Sequence, residues 1–206
     1  SPPATRARQA TDTNDDRARV AGGLLNRTPF TPVGGMDFGL RSPLVMLWLR
    51  LWNEPDDGRD APPRVHVMAE YCQSDRTLPR HIDAIETLGH DRPEWIAVDP
   101  AGEARNSQTG LTDTRVLRDR GYTIKARRSR IHEGIERIRT LLDHGQLTVE
   151  PGCTGLIEAL STYHFDVDRP DNANPVKDGP DHLCDALRYG VMGVNWHGGT
   201  KRKKWA

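Results

Sequence analysis

Hydrophobic positions change their spacing twice along this chain. Up to about residue 30 they follow no period: Arg, Asp, Thr and Asn dominate, which predicts a linker or arm over 1–30, with one short helix through 15–25. From Val33 the pattern becomes that of strands. Residues 33–39 form the first, and 44–52 (Leu-Val-Met-Leu-Trp-Leu-Arg-Leu-Trp) a second, strongly apolar one. The Pro/Asp/Gly-rich stretch 53–63 reads as an exposed hairpin loop. Over 64–71, Val65, Val67, Ala69 and Tyr71 alternate with polar neighbours, which predicts a third strand with one wet face.

Beyond Tyr71 the period of two gives way to helical spacing. Leu78, Ile82, Ile85 and Leu88 predict a helix over 77–88. A short buried strand over 94–99 follows, then a helix over 111–120 closed by Gly121. A strand at 122–125, an amphipathic helix at 131–143 and a strand at 147–149 come next. The chain continues with a helix at 154–163, an extended piece at 165–169 and a loop at 171–179. Pro180 suits the first turn of a last helix running to about Val194. Three strands in series and then α/β alternation predict a mixed sheet, three antiparallel strands followed by parallel ones, with helices on both faces. The expected organisation is an arm over 1–30, one domain over 31–196 and a basic tail over 197–206.

Composition narrows the chemistry. Acidic and basic residues balance at 29 each, so overall charge gives no support to nucleic-acid binding, and any such case rests on local patches. Cys72, Cys153 and Cys184 are scattered, without a CxxC pair, and read as reduced thiols rather than a disulfide framework or a zinc site. No apolar run approaches the roughly 18 residues of a membrane span. The opening Ser1-Pro2-Pro3-Ala4 has no signal-peptide core, and its abruptness leads us to expect a piece of something longer.

Three acidic islands stand where apolar elements start or stop. Asp37 lies between glycines at the end of the first strand, and Asp99 ends the fourth. Asp181, His182 and Asp185 open the last helix, where Asp181 and Asp185, four apart, share a face. Taken singly, each has an ordinary explanation: turn chemistry for Asp37 and Asp99, capping for Asp181. Asp185 fits that account less well, because it lies past the first turn between Cys184 and Ala186, and a carboxylate there needs a partner, Arg188 or a metal. Carboxylates converging on one sheet edge are neutralised well by hard divalent cations, which makes such a cluster a phosphodiesterase site. A second candidate patch is Lys125-Ala126-Arg127-Arg128-Ser129-Arg130, four cations in six residues, read either as a solvated loop or as a phosphate grip. Arg105 and Asn106 follow Asp99 closely enough to join it. Trp48, Trp52 and Trp95 read as packing residues, and His81, His90, His132 and His144 as exposed residues at helix ends.

Several stretches together resemble the C-terminal nuclease domain of a tailed-phage terminase large subunit. These are Gly35-Met36-Asp37-Phe38-Gly39, Glu70 with the helix after it, Val98-Asp99-Pro100-Ala101, Leu117 to Tyr122, Gly134 to Arg139, Val149 to Cys153 with Leu156 to Leu160, and Asp181 to Tyr189. The last is the most specific, an Asp-Ala-x-Arg-Tyr helix after two strand-end carboxylates. The resemblance implies an RNase H-like fold and an endodeoxyribonuclease that cuts concatemeric viral DNA during genome packaging by two-metal-ion hydrolysis. It implies Mg²⁺ or Mn²⁺ as cofactors, with Asp37 between two metals and Asp99 on one. Asp185, His182 or Asp181 would complete the ligand set, the first two ranked ahead. A histidine ligand would favour Mn²⁺ slightly. Double-stranded DNA would lie on Lys125, Arg127, Arg128, Arg130 and Arg105, and Lys125 or a neighbouring Arg would stabilise transition-state charge.

The implied partners are an ATPase domain of the same polypeptide, a small terminase subunit and a portal, in the host bacterial cytoplasm and away from any membrane. The sequence holds no G-x-x-x-x-G-K-[ST] phosphate loop, so this chain is expected to cut but not to package. Two alternatives compete: another RNase H-like enzyme of the junction-resolvase or transposase type, and a non-catalytic α/β binding module whose acids are caps and turns.

Overall fold

A computed structural model describes residues 29–39, 42–54, 63–104, 110–164, 175–176 and 181–196. The expected helix at 15–25, the 165–169 piece, Pro180, Arg105, Asn106, most of the 53–63 and 171–179 loops and the basic tail lie outside them. Six strands form one mixed sheet in the order β5-β4-β1-β2-β3-β6. They are β1 (Thr31–Asp37), β2 (Leu44–Trp52), β3 (Arg64–Gln73), β4 (Ile96–Val98), β5 (Ile124–Ala126) and β6 (Leu147–Val149). Strands β1, β2 and β3 run antiparallel in series. Strands β4, β5 and β6 join in parallel, β4 on β1, β5 on β4 and β6 on β3. Five α-helices and a 3-10 turn (Pro100–Glu103) complete the described fold: α1 (Leu78–Thr87), α2 (Asp113–Asp119), α3 (Ile131–Asp143), α4 (Thr154–Thr162) and α5 (Asp181–Met192). The expected mixed sheet with helices on both faces is what forms.

Strand β2 owes its central place to its composition. Val45, Leu47 and Leu49 enter one core with Val33, Val65 and Val67, under α3, α4 and α5. Leu44, Met46 and Trp48 enter the other with Met36, Ile96 and Val98, under α1 and α2. A strand buried on both faces reads as a continuous apolar run, which is how β2 reads.

The third strand departs from expectation. Trp48 pairs with Ala69 and Leu49 with Val67, so Met68 is an extra residue, a bulge. It switches faces midway: Val65 and Val67 join the α3–α5 core, whereas Ala69 and Tyr71 join the α1–α2 core. Strand β3 therefore has no single wet face. The switch also turns Glu70 toward α4, where its two carboxylate oxygens accept from Gly155 N (2.9 Å) and Leu156 N (2.8 Å). Those amides open α4 and have no partner within the helix, so Glu70 caps it from the sheet. His81 also differs from expectation: it is fully buried in α1, with Nδ1 2.8 Å from the Tyr71 hydroxyl. His90, His132 and His144 are exposed, as expected.

Helix α5 lies across β1 and places the site. A Cβ on Gly35 would stand 2.1 Å from the Ala186 carbonyl oxygen, and one on Gly190 3.4 Å from the Gly35 Cα. Strand and helix backbones therefore touch, which only small residues at 35, 186 and 190 permit. Leu183, Leu187 and Val191 bury the rest of this face, each worth about 1.5–3 kcal/mol at most.

Candidate active site

Register brings the first two acids together. Strands β1 and β4 are adjacent and parallel, with Met36 opposite Val98. The next residue along each is an aspartate, so Asp37 and Asp99 emerge side by side at the carboxyl ends of two parallel strands, where open α/β sheets keep their ligands. The turn after β4 is locked to the chain after β1. Phe38 lies against Gly102, where a Cβ would come within 2.3 Å of the ring. Asp99 caps that turn, its Oδ1 accepting from Ala101 N at 2.9 Å.

The first turns of α5 supply the rest. His182 Nδ1 lies 2.8 Å from Asp37 Oδ2, and with the carboxylate ionised the ring N–H donates. Arg188, one turn beyond Asp185, donates to its Oδ1 from Nε (3.1 Å) and Nη2 (2.8 Å). Of the two partners open to Asp185 from sequence, the structure therefore supplies Arg188. Asp181 is buried at the start of the helix. Asp37, Asp99, Asp181, His182 and Asp185 all line one cleft of about 880 Å³, joined by Glu103, Arg128, Ser129, Arg188 and Tyr189.

The electrostatics of the cleft centre on Asp37. Burial pushes its carboxyl up to about 6; the His182 hydrogen bond opposes the shift, and the charges of Asp185 and Asp99 add to it. A group in this state gains from a nearby cation, which offsets both burial and like-charge repulsion. Cys184 contributes no thiolate, because burial, with the charges of Asp185 and Asp181, pushes its pKa up to about 12.

The donor set is that of a hard-cation site: carboxylates from three segments, one imidazole and a buried aspartate whose charge is disfavoured without a counter-ion. Among the described residues, no three His, Cys, Asp or Glu side chains already stand close enough together to grip one ion. Two of the oxygens are occupied, Asp99 Oδ1 by a backbone amide and Asp185 Oδ1 by Arg188. The residues fit divalent cations by chemistry and by shared cleft, with the ligands gathered around it rather than drawn onto one point.

The basic stretch divides. Arg128 lines the cleft and is exposed, and Arg127 and Arg130 lie exposed on the same loop, Arg130 at the foot of α3. Lys125 turns the other way. Its Nζ lies 3.6 Å from the Trp95 ring centroid and donates to the Gly193 carbonyl at 3.1 Å, just past the end of α5. Burial lowers its pKa, with Glu94 opposing. Lys125 is not among the residues lining the acidic cleft. Glu103 went unnoticed in the sequence. It lines the cleft and pairs with Arg118 at 3.7 Å, and its only sequence signal is its position four residues after Asp99.

No protein-family model matches the chain. Over 171 residues, 81% of its length, it is 26% identical to the terminase large subunit of Escherichia phage T5, and it spans 36% of that protein. Among solved structures, the large terminase of a thermophilic bacteriophage superposes with a TM-score of 0.65 at 20% identity, covering 81% of this chain and 40% of that one. The P22 large terminase nuclease domain gives 0.63 at 21% identity, covering 82% and 83%. The large terminase nuclease of thermophilic phage G20c, solved with bound magnesium, gives 0.53 at 18% identity, covering 81% and 82%. By sequence the chain is similar to a terminase large subunit, and its mixed α/β fold is that of large-terminase nuclease domains.

Proposed function

We propose that residues 31–196 are a metal-dependent endodeoxyribonuclease that cuts concatemeric viral DNA during genome packaging. The observation that carries this reading is the meeting of Asp37 and Asp99 at adjacent parallel strand ends, with His182 and Asp185 of α5 on the same cleft. A buried aspartate pushed up to about 6, chiefly by burial and further by two carboxylates, favours an active site over a set of caps and turns. Magnesium, cobalt and zinc occupy the G20c nuclease in its solved forms, in keeping with a divalent-cation site here.

Asp37 and Asp99 would hold cations, with Asp185 and His182 completing the set and Asp181 behind them. Two divalent cations, when bound, supply activation of a water on one side of the scissile phosphate and neutralise charge on the leaving 3′ oxygen. His182 orients the Asp37 carboxylate through its ring N–H. Arg128, at the cleft wall, binds backbone phosphate beside the cut, and Arg127 and Arg130 extend the grip along the strand. Contacts of this kind read charge and not bases, so cleavage has weak sequence preference and steep salt dependence. Within a full-length terminase in the host cytoplasm, an ATPase domain of the same polypeptide, a small subunit and a portal would bring DNA to this cleft.

Plasmid nicking tests the reading. The chain should nick supercoiled DNA with Mn²⁺ or Mg²⁺ and stop with EDTA. Asp37→Asn should abolish nicking while the protein stays folded by circular dichroism. Cleavage that survives joint substitution of Asp37, Asp99 and Asp185 would end the proposal. A preference for four-way junctions over linear duplex would redirect it to a resolvase.

A further inference from the structure

Arg188 is only 4% exposed, an unusual depth for a guanidinium. The space for it comes from a different helix. Gly134, in the first turn of α3, lies against the Arg188 stem: a Cβ there would stand 2.4 Å from Cγ and 2.7 Å from Cδ. Glycine weakens a helix, and Gly134 has no positive φ that would call for it. Its value is the notch. The stem laid through that notch carries the head group to three neighbours. Nε and Nη2 both donate to Asp185 Oδ1. Nη1 donates to Ser129 Oγ at 3.4 Å, and the guanidinium carbon lies 4.3 Å from the Tyr189 ring centroid. Because both strong donors fall on one oxygen, Arg188 leaves Asp185 Oδ2 unclaimed on a residue that lines the cleft.

We propose that Arg188 is a positioning residue, seated through the Gly134 notch, that sets the Asp185 carboxylate for cation binding and ties the 127–130 loop to it. The inference rests on the metal-site reading above. The guanidinium is too deeply buried, and too fully engaged, to grip DNA itself. It fixes which carboxylate oxygen is free, and through Ser129 it links the phosphate-binding arginines to the acid they serve. Partners of metal ligands commonly change metal affinity by roughly 10–100-fold when removed. The same loss should then follow from a methyl group on α3, at a position that lines no part of the cleft.

The test is Mn²⁺ binding, measured by titration calorimetry and by the electron paramagnetic resonance signal of free Mn²⁺, on the whole chain without DNA. Gly134→Ala should weaken Mn²⁺ binding by on the order of tenfold, and Arg188→Ala by at least as much. The double variant should be no worse than Arg188→Ala alone, since the Cγ and Cδ that the new methyl strikes are gone. Arg188→Lys, which keeps stem and charge but loses the fork, should fall between parent and Arg188→Ala. Parent-like affinity in folded Gly134→Ala, or penalties that simply add, would overturn the inference. Should Gly134→Ala not fold, unchanged affinity in Arg188→Lys would do the same. Asp37→Asn separates the two levels: if it binds Mn²⁺ like the parent, the metal-site reading itself fails. If it loses Mn²⁺ while Arg188→Lys and Gly134→Ala keep it, only the positioning role falls.

Discussion

The two halves of α5 are built on opposite terms. The first half carries Asp181, His182 and Asp185, ionisable groups that line the cleft beside Asp37, whose carboxyl burial pushes up. The second half presents Ala186 and Gly190 to the backbone of β1. Just beyond its end, Gly193 lies under Trp95 and Ala97, where a Cβ would come within 2.7 and 2.8 Å. One half carries the groups proposed for chemistry, and the other fixes where they stand. Backbone contact leaves little freedom to slide or tilt, so the acids of the first half reach Asp37 without a loop having to hold them. The groups of the cleft are thereby gathered by rigid elements around one carboxyl, Asp37, whose charge burial disfavours.

The strongest way to break this arrangement is to strike the placing half. Gly35→Ala puts a methyl 2.1 Å from the Ala186 carbonyl, side chain against backbone, with no flexible end to yield. Overpacking of this kind costs typically about 1–3 kcal/mol, and this site should lie at the upper end or beyond. Urea denaturation should show stability falling by that amount, and Mn²⁺-dependent nicking should disappear as α5 lifts from β1. A Gly35→Ala protein with parent-like midpoint and activity would show that the close approach is not what places the acids.

Striking the β1 acid that the first half of α5 faces should have the reverse effect on stability. Asp37 has its folded pKa raised from 3.8 to about 6, so between those values the folded chain binds more protons than the unfolded one. The favourable contribution is complete below about pH 4 and is lost as pH rises through 6. In EDTA, metal-free parent protein should therefore lose up to about 3 kcal/mol relative to Asp37→Asn between pH 4 and 7, at 1.36 kcal/mol per pKa unit. At pH 7 Asp37→Asn should melt higher than the parent. Adding Mg²⁺ should narrow that gap by stabilising the parent alone. A difference between the two proteins that stays flat from pH 4 to 7 would remove Asp37 from the set of groups disfavoured by folding.

How much of this was legible in the sequence depended on distance along the chain. Strong local patterns fixed their own elements: β2, α3 and β6 fall where the spacing placed them. The three acidic islands were visible because each marks an element end, and the parallel register of β1 and β4 then brings two of them together. The bulge at Met68 was hidden because one extra residue leaves the apolar alternation of the letters intact while reversing the faces. His81 was misplaced because its partner, the Tyr71 hydroxyl, lies on another element, and a histidine near a helix start looks solvated. The glycine contacts were hardest to see. Gly35 meets Ala186 and Gly134 meets Arg188 across long stretches of chain, and nothing adjacent to either glycine announces a neighbour.

The basic stretch offers the finest test of the comparison, because its residues fall on opposite sides of it. In sequence, Lys125 and Arg128 look alike. In the fold, Lys125 serves the placing half, through Trp95 and the Gly193 carbonyl, while Arg128 lines the cleft of the chemical half. Lys125→Met should cost about 1 kcal/mol, the scale of a partly buried cation–π contact, and leave the salt dependence of DNA binding unchanged. Arg128→Gln should leave the melting temperature alone and reduce the slope of log affinity against log salt by about one, as expected for one lost phosphate contact. Fluorescence anisotropy with duplex DNA at several salt concentrations, together with thermal melts, separates the two. If Lys125→Met lowers the salt slope as Arg128→Gln does, then Lys125 reaches DNA in the complex, and the division drawn along α5 does not extend to this loop.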